Sequence, residues 1–390
     1  MSNIGLSLAL AISLAGTFPS GNNMPDILAI FQRAVANQGD PARLQHVFQK
    51  AAQGKPITVV VIGGSITQGA HAQKVEYQWG SQMHNWWKTT FPKSTVSYHN
   101  AGIGATGSLI GVHRLSDHVL KHKPDLVAIE FSVNDGDSQL TSETYEGIVR
   151  QILSQPQQPA IVLLNMMSQS GGNVQHRHAP VAKHYNIPMI SYRDALFPEI
   201  KAKNIAWSDI SPDSIHPNHI GHTYAAALVN LFLKLSFDEF TRVGSVPKPI
   251  GEIPKPLYGT LYDKAWVINP ANAKILENKG FTEVHDRVWK MGLQAQNPGD
   301  RIVFEVEATS IALVYRRSNA PAGRARITVD GEVVNTAEGF FDQTWWFTPA
   351  DPILNNKPGV HKIEVEILPD KHPQSKGHQF QICMILAAGD

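Results

Sequence analysis

The stretch Ile57-Thr58-Val59-Val60-Val61-Ile62-Gly63-Gly64-Ser65-Ile66-Thr67 decides how the rest of this chain is read. Its first six residues form an apolar run that predicts a buried strand. Two glycines and a serine follow at the strand's C-terminal tip, the position where open α/β sheets bind ligands. Outward from this point the same rhythm repeats. Apolar runs at 95–98, 126–131, 161–166 and 188–191 predict further strands, and helical spacing predicts helices near 79–89, 109–121, 142–153, 180–185 and 220–235. Strands alternating with helices imply an α/β domain whose parallel sheet is covered on both faces. Upstream, Ile27, Leu28, Ile30, Phe31 and Ala34, then Leu44, Val47, Phe48 and Ala51, recur at helical spacing, so residues 26–53 form a helical lead-in. Trp79, Trp86 and Trp87 fall in a helical stretch and are assigned to the core.

The α/β domain, taken as residues 26–240, gives way to a proline-rich linker at 241–259, where repeated prolines block both helix and sheet. Beyond it the pattern changes. Runs at 301–306, 310–315, 326–329, 332–334 and 361–367 are β-formers with turns between, notably Asp330-Gly331. Residues 260–390 are therefore expected to form an all-β sandwich, jelly-roll in type.

Three pieces complement Ser65: Asn100-Ala101-Gly102-Ile103-Gly104, Val133-Asn134-Asp135 and Asp213-Ser214-Ile215-His216-Pro217-Asn218. A serine hydroxyl becomes a nucleophile only when a base takes its proton, and His216 is the candidate base. Asp213 would orient the imidazole and stabilise its cation. A developing oxyanion needs donors, and the candidates are the Ser65 N–H, the N–H of Gly104 or Ala105, and the Asn134 side-chain amide. Taken singly, each residue has a structural reading. Ser65 suits a helix N-cap, Asn134-Asp135-Gly136 suits a turn, Asp213 suits a cap, and His216 suits a solvated loop. Together, in this order and at these strand ends, they point to catalysis.

The four blocks resemble the SGNH, or GDSL-type, hydrolase family over roughly residues 56–236. The resemblance implies a flavodoxin-like, three-layer fold with five parallel strands. The family's usual Gly-Asp-Ser is Gly63-Gly64-Ser65 here, and the usual glycine donor of the second block aligns with Ala105, next to Gly104. A backbone N–H survives that change where the dihedrals suit a Cβ. An accessory sandwich beside such a domain resembles the layout of some carbohydrate esterases, which implies removal of O-acetyl groups from polysaccharide, with no cofactor. The bunched Phe340, Phe341, Trp345 and Trp346 would stack on sugar or, the preferred reading, fill a core or interdomain contact.

Other classes are weighed against this. The polar stretch Gln68 to Lys74 offers no apolar lid, which disfavours a lipase, lysophospholipase or thioesterase; a glycan-binding protein with a silent hydrolase domain is the remaining alternative. Two histidine groups, His216, His219 and His222, and His176, His178 and His184, are close in sequence. Pro217 breaks helical geometry at the start of the first group, so solvated or hydrogen-bonding histidines are expected, and no metal. The formal net charge of +1 gives no electrostatic case for nucleic acid. The lone Cys383 reads as an apolar residue in a late strand. No apolar span reaches membrane length, so no integral membrane segment is expected. Ile4 to Leu14 followed by small residues suggests a leader within 1–25 and a secreted or extracytoplasmic protein, although no basic residue precedes it; cytoplasmic residence is the alternative.

Overall fold

The computed structural model describes residues 27–389, and the expected leader lies outside them. The chain divides into two compact units, one made of the residues up to Ser108 with Asp117–Tyr258, the other of Leu109–Ser116 with the residues from Gly259 onward.

The first unit is built on a six-stranded sheet: β1 Val35–Asn37, β2 Ile57–Gly63, β3 Val96–Gly102, β4 Leu126–Glu130, β5 Ala160–Asn165 and β6 Met189–Ser191. The spatial order is β1-β6-β5-β4-β2-β3. Strands β2 to β6 pair in parallel, in the flavodoxin order that the resemblance implied. β4 and β5 are buried along their whole length and β2 along nearly all of it, which is why they read as near-continuous apolar runs. Each fully buried Val, Leu or Ile contributes about 1.5–3 kcal/mol. Strand order reverses between β2 and β4, so the crevice at their carboxyl ends is the expected ligand site.

β1 was not anticipated; residues 26–53 are not helical throughout. The helices Ile27–Ala34 and Ala42–Ala52 flank a short strand that pairs antiparallel with β6. The Asn37 side-chain amide fixes it by donating to Ala182 O and Ile187 O. Trp79 and Trp87 are fully buried, and Trp87 stacks on Phe48 with centroids 5.5 Å apart.

The helix expected over 109–121 is broken into Ser108–His113, Leu115–His118 and a 3-10 turn, Leu120–His122, ending at Lys123 with φ 50°. The physical reason lies in the division into units: Leu109–Ser116 belongs to the second, and Ile110 is buried in a cluster with Ala312, Val314, Cys383, Met384 and Leu386. The helix Tyr192–Lys201 was also missed because Pro198 lies inside it; Ser191 caps its start by accepting from Asp194 N.

Between Arg242 and Leu261 the chain has neither helix nor strand. It is nonetheless fastened to the first unit. Lys248 N donates to Gln45, His184 donates to Lys255 O, and the Leu257 and Tyr258 amides donate to the buried Glu146 carboxylate at 2.5 and 2.7 Å.

The second unit carries two antiparallel sheets. With β7 Ala265–Ile268, β8 Lys274–Lys279, β9 Thr282–Asp286, β10 Lys290–Ala295, β11 Arg301–Ala308, β12 Ser310–Tyr315, β13 Arg324–Val329, β14 Glu332–Glu338, β15 Ala350–Leu354, β16 Gly359–Ile367 and β17 Phe380–Ala388, one sheet runs β15-β12-β17-β10-β9 with β7 on β17, the other β14-β13-β16-β11-β8. Phe304, Ile327 and Val365 of the second sheet share a core with Leu313, Phe380 and Ile385 of the first, so the sheets form a sandwich. Cys383 lies buried in β17. Core packing accounts for Phe340 alone among the four bunched aromatics. Trp345 is 53% exposed, edge-on to Phe341, while the Arg316 guanidinium lies 4.0 Å from the Trp346 ring centroid.

Candidate active site

Ser65 opens a one-turn helix, Ser65–Gln68, directly after β2. The turn into it is too tight for side chains. A Cβ on Gly63 would stand 2.3 Å from Glu130 O, and one on Gly64 would stand 2.0 Å from Asn134 Oδ1. In this chain Asn134 occupies the space that a side chain at position 64 would need. The end of β3 is tied to this turn by Asn100, whose amide donates to Thr67 O while its Oδ1 accepts from Gly102 N, both at 2.8 Å.

Ser65 Oγ lies 2.9 Å from His216 Nε2, and His216 Nδ1 lies 2.8 Å from Asp213 Oδ2. The other oxygen of Asp213 accepts the Ile215 and His216 backbone amides, each at 2.7 Å. Partial burial alone would raise the Asp213 pKa; the hydrogen bonds from the His216 backbone and ring and from Ile215 outweigh it and hold the carboxyl below its usual range. With Nδ1–H directed at a carboxylate, Nε2 is free to accept the serine proton. This is the geometry that a nucleophile, a base and an orienting acid require.

The donor candidates fall around Ser65. Asn134 lies against Gly64, and among the described residues neither its Nδ2 nor the Ser65 N–H has a hydrogen-bond partner. Gly104 lies against Ser65, since a Cβ there would be 3.8 Å from the Ser65 Cβ; its N–H donates to Gln68 Oε1 at 3.0 Å. Ala105 is exposed and has φ 56°, a left-handed conformation that strains an L residue by about 1–2 kcal/mol.

A buried polar layer supports these groups. Asp135 accepts from Ser108 N at 2.6 Å and from His178 Nε2 at 3.0 Å, and the His178 ring stacks on Tyr145 with centroids 3.6 Å apart. Glu130, at the end of β4, is fully buried beside Thr67 and Ser132. Burial pushes its pKa up to about 8, only partly opposed by those two hydroxyls.

Neither histidine group converges. His176 bonds Asp137, His178 and His184 have the partners given above, and His219 faces Tyr77. His222 is buried, donates to Ala70 O and accepts from Trp79 N; burial drives its pKa down to about 4. Among the described residues the ones that do gather are His71, Asp213 and His216. Sequence reading passed over His71 and Gln68 because both lie in the polar stretch after Ser65, which was weighed only as a lid. It named Asp135 only in the third block and its turn, and His178 only as a metal-ligand candidate; their pairing needs the fold.

The model of the GDSL-like lipase/acylhydrolase family matches residues 61–224, a span that contains Ser65, Gly104, Ala105, Asn134, Asp213 and His216. Among solved structures, a two-domain esterase (CEX) active on acetylated mannans superposes with a TM-score of 0.86 at 33% identity, covering 92% of this chain and 98% of that one. The same esterase co-crystallised with mannopentaose gives 0.85 at 32% identity, with the same coverage. No curated protein sequence matches the chain. The chain belongs to the GDSL-like lipase/acylhydrolase family and is a carboxylic ester hydrolase.

Proposed function

We propose that this hydrolase removes acetyl groups from carbohydrate, with O-acetylated mannan as the leading substrate, through an acyl-enzyme on Ser65. The observation that carries the chemistry is the continuous hydrogen-bonded line from Ser65 Oγ through His216 to Asp213. His216 Nε2 takes the Ser65 proton as Oγ attacks the acetyl carbon, and the carbonyl electrons move onto oxygen. The Ser65 N–H, the Asn134 amide and, once Gln68 moves aside, the Gly104 N–H stabilise that charge, each worth about 2.7–4 kcal/mol of barrier. His216 returns the proton to the sugar oxygen as it departs. Water, deprotonated by the same nitrogen, then releases acetate.

The substrate class is supported by the likeness, along nearly the whole chain, to an esterase active on acetylated mannans. The exposed Trp345 with Phe341 offers an aromatic face for sugar. The test is hydrolysis of p-nitrophenyl esters from acetate to palmitate alongside acetylated manno- and xylo-oligosaccharides. Acetate should be the preferred acyl group, and acetylated mannan should release acetate. Preference for palmitate, or inertness toward every acetylated sugar, overturns the reading. Ser65→Ala and His216→Ala should each remove most of the activity, and the double variant should lose no more, because the pair acts as a unit.

A further inference from the structure

The geometry points to an inhibitory site for a borderline transition-metal ion, Zn²⁺ first, formed by His71 Nε2, Asp213 Oδ2 and His216 Nδ1. The inference rests on the proposed role of His216 for its effect on activity, but not for the binding itself. One ligand atom from each of the three residues lies within 4.8 Å of those of the other two. His71 Nε2 is 3.4 Å from Asp213 Oδ2. A tetrahedral ion with bonds of about 2.0–2.2 Å separates its ligands by about 3.3–3.6 Å, so this pair is already at coordination spacing. The His216–Asp213 hydrogen bond at 2.8 Å would open by about half an ångström. Two imidazoles and one carboxylate form a donor set that zinc takes with a fourth, open position.

Three features hold the site ready. Asp213 spends Oδ1 on two backbone amides, which leaves Oδ2 as the single outward ligand. His71 has φ 58°, and its neighbours are fixed: Ala70 N donates to Ser65 O, Ala70 O accepts from His222, and Ala72 N donates to Gly69 O. The His71 ring lies beside Asp213 and the His216 ring and is half exposed, open to an ion from solvent.

The consequence follows from proton bookkeeping. In the resting site His216 carries its proton on Nδ1 and offers the Nε2 lone pair to Ser65. Coordination uses the Nδ1 lone pair, so the proton moves through solvent to Nε2, with no net change in protonation. His216 then donates toward Ser65 instead of accepting from it, and the hydroxyl has lost its base.

Full-length protein, stripped of metal with chelator, is assayed on p-nitrophenyl acetate across a Zn²⁺ series, and in parallel is titrated with Co²⁺ while visible absorption is recorded. Zn²⁺ should inhibit and excess EDTA should restore the rate. His71→Asn keeps a residue that tolerates positive φ but removes the ligand. Measured against its own metal-free rate, it should need at least on the order of tenfold more Zn²⁺ for half inhibition. The intense band of tetrahedral Co²⁺ should appear at one equivalent, persist in Ser65→Ala and vanish in His71→Asn. Equal Zn²⁺ sensitivity of His71→Asn and the parent, or a Co²⁺ band indifferent to His71, overturns the site and assigns the metal to others among the seventeen histidines. A band that depends on His71, with hydrolysis untouched by bound metal, upholds the site and instead removes His216 from the role of base.

Discussion

A single methyl group is enough to test how Asn134 is held. Gly64 has no room for a Cβ, because the Asn134 side chain lies 2.0 Å from where that atom would sit. Gly64→Ala should therefore push the Asn134 amide away from Ser65 without touching the hydrogen-bonded line to Asp213. If that amide is an oxyanion donor, Asn134→Ala lowers kcat by about 10²–10³-fold. Gly64→Ala should then fall in the same direction, and the double variant should be no slower than the worse single one, since both remove the same interaction. Steady-state kinetics of the three variants, with KM followed separately, checks this; additive losses would show that Gly64 and Asn134 act independently. That Ser65, Asp213, His216 and Asn134 gather at one place was legible in the sequence, because residue type and order carry that pattern. His71 and Gln68 were not, because a histidine or glutamine in a polar loop gains meaning only from what folds against it.

At the scale of elements, the end of β4 places a carboxyl where no solvent reaches it. Glu130 has its folded pKa raised to about 8. Its protonated form is favoured by the fold, so between the ordinary glutamate value and about 8 the native state binds more protons than the unfolded chain. Stability from this group is complete below about pH 4.5 and is lost as pH rises through about 8. Glu130→Gln, a neutral stand-in, should flatten that decline: thermal midpoints near the parent's at about pH 5, and above the parent's at about pH 9. A parent and variant that lose stability in parallel over this range would show that Glu130 is not the titrating group. The strands themselves were legible, since β2, β4 and β5 are buried enough to read as apolar runs. β1, β7 to β10 and β15 were not: β1 has three residues, β8 is exposed along its length, and β15 carries Pro352, so none leaves a clear apolar pattern.

At the scale of the molecule, the proline-rich stretch behaves as a fastened strap. Its Leu257 and Tyr258 amides end on Glu146, a nearly inaccessible carboxylate that Tyr185 also contacts. Glu146→Gln weakens charge-assisted hydrogen bonds worth about 1.5–3 kcal/mol each. The full-length variant should melt several degrees lower and be cleaved faster between Val246 and Tyr258; unchanged proteolysis there would mean that the prolines alone hold the strap. Composition showed that this stretch is neither helix nor strand, but not where its amides go, because that depends on a glutamate more than a hundred residues earlier in the chain. The break in the helix at 109–121 has the same origin, and it has a consequence in time. On the ribosome, Leu109–Ser116 emerges on the order of ten seconds before Gly259, at about 5–20 residues per second. Until then Ile110 lacks Val314, Met384 and Leu386, the residues that will cover it. Nascent chains stalled at Tyr258 should be cut by protease within 109–116, and released chains that extend through Asp390 should resist. Protection of that segment in the stalled chains would show that it finds cover without the sandwich. Translation thus makes the two units finish together, and exchanging the sandwich by recombination at the strap would leave its first eight-residue piece behind in the other gene segment.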